Sequence, residues 1–222
     1  MFKKRFFLKQ FFFIVFIFLY PSFIYGIEEY SIPQKTLTNM EKKYGAAAKK
    51  RVQYLISLMN KLKDKSEAKK IIGVNKFFNQ VFYQTDLKNW NENDYWATRM
   101  EFLGKSSGDC EDYAIAKYFT LKQLGVEEDK LFMTYVKLIK LNQAHMVITY
   151  YPKPTSVPFI LDNYNIKILP ATKRPDLVPA YSFNGSSLYI AKQQGLGRAA
   201  PKAKKKNIKW SKLLDDIKRN KL

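Results

Sequence analysis

A single cysteine, Cys110, stands in a chain whose N-terminus is laid out for export, so no internal disulfide is available and a hydrophobic core must hold the fold. The export layout is Lys3, Lys4, Arg5 and Lys9 ahead of an uncharged apolar run from Phe11 to Ile27. That run is near the short end of what spans a bilayer and Pro21 interrupts it, which predicts a cleaved signal over residues 1–26. An uncleaved anchor is the alternative, because Ile24 and Gly26 meet the small-x-small processing pattern only halfway. Residues 27–222 suffice for one domain and do not demand two. With 46% hydrophobic and 16% aromatic residues, the chain is excluded from the disordered class apart from short basic segments.

Hydrophobic periodicity predicts helices first and strands after. Met40, Tyr44, Ala47, Ala48, Val52, Leu55, Ile56, Met59 and Leu62 share one face of a helix expected over Thr38 to Leu62. A second helix is expected from about Ser66 to Tyr83, and an ordered loop from Asp86 to Gly108, where no period is sustained. A third helix runs from Cys110 to Leu124 with a stop at Gly125. Segments rich in Val, Ile, Tyr and Phe then read as strands of an antiparallel sheet: Leu131 to Leu138, Ala144 to Tyr151, Phe159 to Asp162, Ile166 to Leu169, with one more over Tyr181 to Ala191. In the basic tail, Trp210, Leu213, Leu214 and Ile217 are spaced as a short amphipathic helix. The fold class is α+β.

Chemistry concentrates where the third helix begins. In GDCEDYA the Gly108-Asp109 step places Cys110 in the first helical turn, where unpaired N–H groups favour a thiolate and could hold an oxyanion. His145 is the only histidine, hence the only imidazole partner available to that thiol, and strand alternation aims it at one defined face. Asp162, at the end of the strand FILD, is placed to accept the Nδ1 proton of His145 and fix its tautomer; the bland alternative is a turn residue. Asp109, Glu111 and Asp112 flank the cysteine, and as bare charges they would raise its pKa. Either a hard divalent cation neutralises them or they are simply acidic residues at a helix N-terminus, and composition leaves both open.

The formal charge is +20 from 39 basic and 19 acidic residues, which favours acidic partners. The export signal turns that preference away from nucleic acid towards acidic proteins, anionic lipids or envelope polymers; a generally lysine-rich composition is the bland reading.

GDCEDYA, followed in order by HMV and LDN within a stretch from about Asn75 to Arg219, resembles the bacterial transglutaminase-like cysteine proteases of the LapG type. The resemblance implies a papain-like or transglutaminase-like core and a periplasmic endopeptidase that clips a large surface adhesin near its N-terminus at a paired-alanine site, releasing cells from a biofilm. It implies a triad of Cys110, His145 and Asp162, and calcium dependence with Asp109, Glu111 and Asp112 as matching ligands. It also implies an inner-membrane cyclic di-GMP receptor as regulator. Trp96, in YWAT, falls in the matching loop as a candidate for the substrate cleft, with burial in the core as its alternative. The basic tail departs from the family pattern, and membrane contact is expected only through it or an uncleaved signal. A transglutaminase or peptidoglycan amidase could use the same three residues, and a catalytically silent envelope-binding module is the rival of another class.

Overall fold

The computed structural model describes residues 29–190, 197–199 and 208–220; the export segment and residues 200–207 of the basic tail lie outside the described residues. Helices α1 (Gln34–Tyr44) and α2 (Ala46–Leu62) replace the one helix expected there. The break is Gly45, whose φ of 87° is open to glycine at no steric cost and whose N–H closes α1 on the Glu41 carbonyl at 2.8 Å. Most of the predicted apolar stripe is nevertheless buried: Ala48, Val52, Leu55, Met59 and Leu62 of α2 face the core, whereas Ala47 is exposed and Ile56 half-buried.

Helix α3 (Glu67–Phe78) ends five residues before the expected boundary at Tyr83: Gln80 and Val81 N–H close a tighter last turn on Phe77 and Phe78, and from Phe82 the backbone pairs with another segment. Strand β1 (Phe82–Tyr83) pairs in parallel with β2 (Ser107–Gly108), with Phe82 N–H donating to Ser106 and Gln84 N–H to Gly108. The expected loop between them contains two short helices, α4 (Asp86–Trp90) and α5 (Arg99–Lys105). Helix α5 starts with a capping box: Thr98 Oγ1 accepts from Glu101 N–H and the Glu101 carboxylate accepts from Thr98 N–H. Helix α6 (Cys110–Gln123) lies as predicted.

A seven-stranded antiparallel sheet follows, in the order β6-β5-β4-β3-β7-β8-β9. Its strands are β3 (Leu131–Leu138), β4 (Gln143–Tyr150), β5 (Phe159–Leu161), β6 (Leu169–Pro170), β7 (Leu177–Phe183), β8 (Leu188–Ile190) and β9 (Arg198–Ala199). The strand expected over Tyr181 to Ala191 is thus two, β7 and β8, folded back at Asn184–Ser187, where the Asn184 carboxamide accepts from the N–H groups of Ser186 and Ser187. Helix α6 packs on β3 and β4, and α3 packs on α6. Met146, Ile148 and Tyr150 of β4 join the main core beneath the helices, while Val147 joins a smaller apolar cluster with Val136, Leu138, Ile160 and Leu177. The tail helix α7 (Ile208–Asn220) closes over the other end of α6, with the Trp210 ring stacked on Phe119 at 5.7 Å and Leu213 buried.

Candidate active site

Cys110 opens α6 directly after Asp109, so its side chain stands where the first N–H groups of the helix have no intrahelical partner. The approach is tight: a Cβ on Gly108 would meet the Asp112 carboxylate and, at 2.7 Å, the Phe102 ring. Glycine is what lets β2 pass that close to α6 and deliver Cys110 at the rim of a cleft of about 800 Å³, lined also by His145, Asp109, Glu111, Asp94, Tyr83, Tyr135 and Tyr164. The thiol donates to Glu111 Oε2 at 3.0 Å. Burial raises its pKa well above that of a free thiol, and the Glu111 and Asp109 carboxylates raise it further, against an opposing contact from the Met146 backbone of β4.

His145 comes from the start of β4, opposite Val136 of β3, and is 4% exposed. Its Nε2 lies 2.7 Å from Asp162 Oδ1, just past the end of β5. The nitrogen facing Asp162 is therefore Nε2 and not the expected Nδ1; with Nε2–H donated to the carboxylate, Nδ1 is the basic nitrogen available to a proton from the cleft. Asp162, 1% exposed, also accepts the Tyr164 N–H at 2.9 Å on Oδ1 and Arg174 Nη2 at 2.7 Å on Oδ2. Burial alone would raise its pKa, but His145, the Tyr164 N–H and Arg174 together hold the carboxyl well below its ordinary range. Arg174, itself buried, also donates the same Nη2 to Asp176 Oδ2 at 2.8 Å and its Nε to Asp176 Oδ1 at 2.9 Å. Nothing in the sequence distinguishes Arg174 from the other cations of a chain this basic.

The acidic cluster is larger than the sequence suggested. Ligand oxygens of Asp86, Asp109 and Asp112 lie within 4.8 Å of one another, and so do those of Asp86, Asp94 and Glu111. Among the described residues, each of the first three keeps one buried carboxylate oxygen without a hydrogen-bond partner: Asp86 Oδ1, Asp109 Oδ1 and Asp112 Oδ2. The other oxygens of two of them are fixed, Asp86 Oδ2 by Tyr95 N–H at 2.6 Å and Asp112 Oδ1 by Ala97 N–H at 2.9 Å. Burial first, then Glu111 and Asp112, push Asp109 up to about 10, and Asp86 and Asp112 are raised chiefly by burial. Clustered carboxylates with buried, unpartnered oxygens are the kind of ligands a hard divalent cation takes, and this favours the cation reading over simple helix capping. Asp86 lies well upstream, on α4, and nothing in its local sequence marks it as a partner of the cysteine motif.

Trp96 is not among the residues that line the cleft. It is 8% exposed, stacks on Phe183 at 6.1 Å, and lines a small cavity beneath α7 with Leu213, Lys209 and Lys212. It occupies the core position that was its alternative.

Residues 43–177, more than half of the chain, match the family described as bacterial transglutaminase-like cysteine proteinase. Among solved structures, the chain is similar to Legionella pneumophila LapG, with 41% identity over 82% of this chain and 96% of that one and a TM-score of 0.70. It is similar to the calcium-bound form of that protein at 40% identity, covering 84% and 99% with a TM-score of 0.71, and to an EGTA-treated form at 41% identity, covering 82% and 96% with a TM-score of 0.71. Comparison with curated proteins found no match.

Proposed function

Because this chain belongs to the bacterial transglutaminase-like cysteine proteinases, we propose that Cys110, His145 and Asp162 form its catalytic triad and that its substrate is a large surface adhesin, cut near the N-terminus at a paired alanine. The protein is a periplasmic cysteine protease of the LapG type, with calcium as its cofactor. The observation that carries the triad is the 2.7 Å contact of His145 with a buried Asp162, in a cleft shared with the only thiol.

In the proposed reaction His145 Nδ1 takes the proton of Cys110 as the sulfur attacks the scissile carbonyl. Asp162 accepts Nε2–H throughout and stabilises the imidazolium, while Arg174 and the Tyr164 N–H hold that carboxylate ionised and fixed. N–H groups at the start of α6 stabilise the developing oxyanion. The amine leaves with the proton from His145, giving a thioester on Cys110; water, deprotonated by His145, then attacks the thioester, and the thiol is regenerated as the acid product departs. Asp86, Asp109 and Asp112 are the proposed calcium ligands, with Glu111 beside them. Bound calcium supplies positive charge next to the thiol, offsetting the carboxylates that raise its pKa. Regulation by an inner-membrane cyclic di-GMP receptor rests on the family alone.

The test is cleavage of a recombinant adhesin N-terminal fragment by the exported protein, with calcium and with excess chelator, beside Cys110→Ser. Calcium-dependent cutting at a paired alanine, absent in the variant, is expected. A folded, calcium-loaded enzyme that leaves the fragment intact would turn the assignment towards another acyl substrate, such as a transglutaminase or amidase would use.

A further inference from the structure

The tail helix α7 reaches the acidic cluster. Trp210 and Leu213 seat it on the core, Lys212 Nζ lies 5.5 Å from the Tyr95 ring centroid, and Lys209 Nζ forms an ion pair with the Asp94 carboxylate. Asp94 belongs at the same time to the catalytic cleft, beside Cys110 and Glu111, and to the carboxylate group it forms with Asp86 and Glu111. The adjoining Tyr95 N–H binds Asp86 Oδ2, so the Asp94-Tyr95 segment is clamped between α7 and a proposed calcium ligand.

We propose that Lys209 is a built-in competitor of the cofactor: by pairing with Asp94 it withholds that carboxylate from the ion and places a positive charge beside the site, so that docked α7 weakens calcium binding. The inference rests on the calcium reading of the cluster, which the orphaned oxygens of Asp86 and Asp112 support independently of α7. Its direction follows from charge. A lysine ammonium within several ångströms of a dication repels it, and even at a water-like dielectric the repulsion over roughly 8 Å corresponds to about a fivefold change in affinity. By linkage, bound calcium loosens the docking of α7 by the same factor.

The test is titration calorimetry of calcium alone into the chelator-treated exported protein, for the parent, Lys209→Met, Lys209→Arg and Lys218→Met, with near-ultraviolet dichroism confirming that each is folded. Lys209→Met is expected to tighten the Kd about fivefold, Lys209→Arg to keep the parental value, and Lys218→Met, which removes an exposed charge from the same helix, to change it less than twofold. An unchanged or weaker Kd in Lys209→Met, or equal tightening in Lys218→Met, overturns the proposal. A folded parent that takes up no calcium overturns the calcium reading itself, and this inference with it.

Discussion

Replacing Arg174 by Met should expose how much the triad depends on a residue that never touches substrate. Arg174 Nη2 lies 2.7 Å from Asp162 Oδ2, and both side chains are essentially inaccessible to solvent. At an effective dielectric of 20 such a pair interacts by about 4 kcal/mol, and removing one partner of a buried pair typically costs about 3–5 kcal/mol. Asp162 would retain His145 and the Tyr164 N–H, which places the expected loss near the lower end, about 3 kcal/mol. For a domain of this size that lowers Tm by roughly 6–12 °C. The pH dependence is the sharper diagnostic. Asp162 has a depressed folded pKa, so its stabilisation is present above the unfolded value of about 3.9 and is lost as pH falls towards the folded one. Without Arg174 the folded pKa rises and less remains to lose, so the gap between parent and variant should narrow as pH drops below about 4. Urea unfolding followed by tryptophan fluorescence in a Cys110→Ser background, at pH 7 and pH 3, measures both. A loss under about 1 kcal/mol at neutral pH, or the same loss at both, would refute the reasoning.

His145→Ala should abolish proteolysis and flatten the pH profile of Cys110 alkylation, and an unchanged profile would exclude the histidine as the partner of the thiol. Calcium at about a hundred times its Kd should stabilise the parent by about 2.7 kcal/mol; Asp86→Asn should lose most of that gain in a thermal melt, whereas an undiminished gain would remove Asp86 from the ligand set. Thr98→Ala breaks the capping box of α5 and should cost about 1 kcal/mol in denaturant unfolding with no change in calcium affinity.

The parts of this molecule that were legible beforehand are those whose cause is local. The stripe on α2, the span of α6 and the strands β3 and β4 follow from periodicity, and the motif around Cys110 follows from needing a thiol at a helix start. Two further local signals belong with them: Thr98-x-x-Glu101 is a capping-box signature inside the stretch expected as loop, and Gly45 punctuates the stretch expected as one helix. What was not legible depends on tertiary approach. Asp86 joins the acidic cluster only because α4 packs on β2, which leads into α6, Arg174 reaches Asp162 from the turn before β7, and the ring nitrogen facing Asp162 is fixed by how β4 and β5 lie together. Trp96 was drawn towards the cleft by its neighbours in sequence, whereas α7 covers it in space.

The turn joining β3 to β4 carries a burden that its position at the surface conceals. Residues 139–141 form a short 3-10 turn closed by Asn142 in the left-handed region, and three pairs further along the ladder His145 faces Val136. Side chains alternate along a strand, so a one-residue slip of β4 against β3 would carry His145 to the opposite face of the sheet and take Met146, Ile148 and Tyr150 out of the core with it. Surface loops ordinarily absorb changes of length at small cost. The burial of Met146, Ile148 and Tyr150 thus holds the histidine on its face as well, and a residue inserted here must be taken up by the turn and not by the strand.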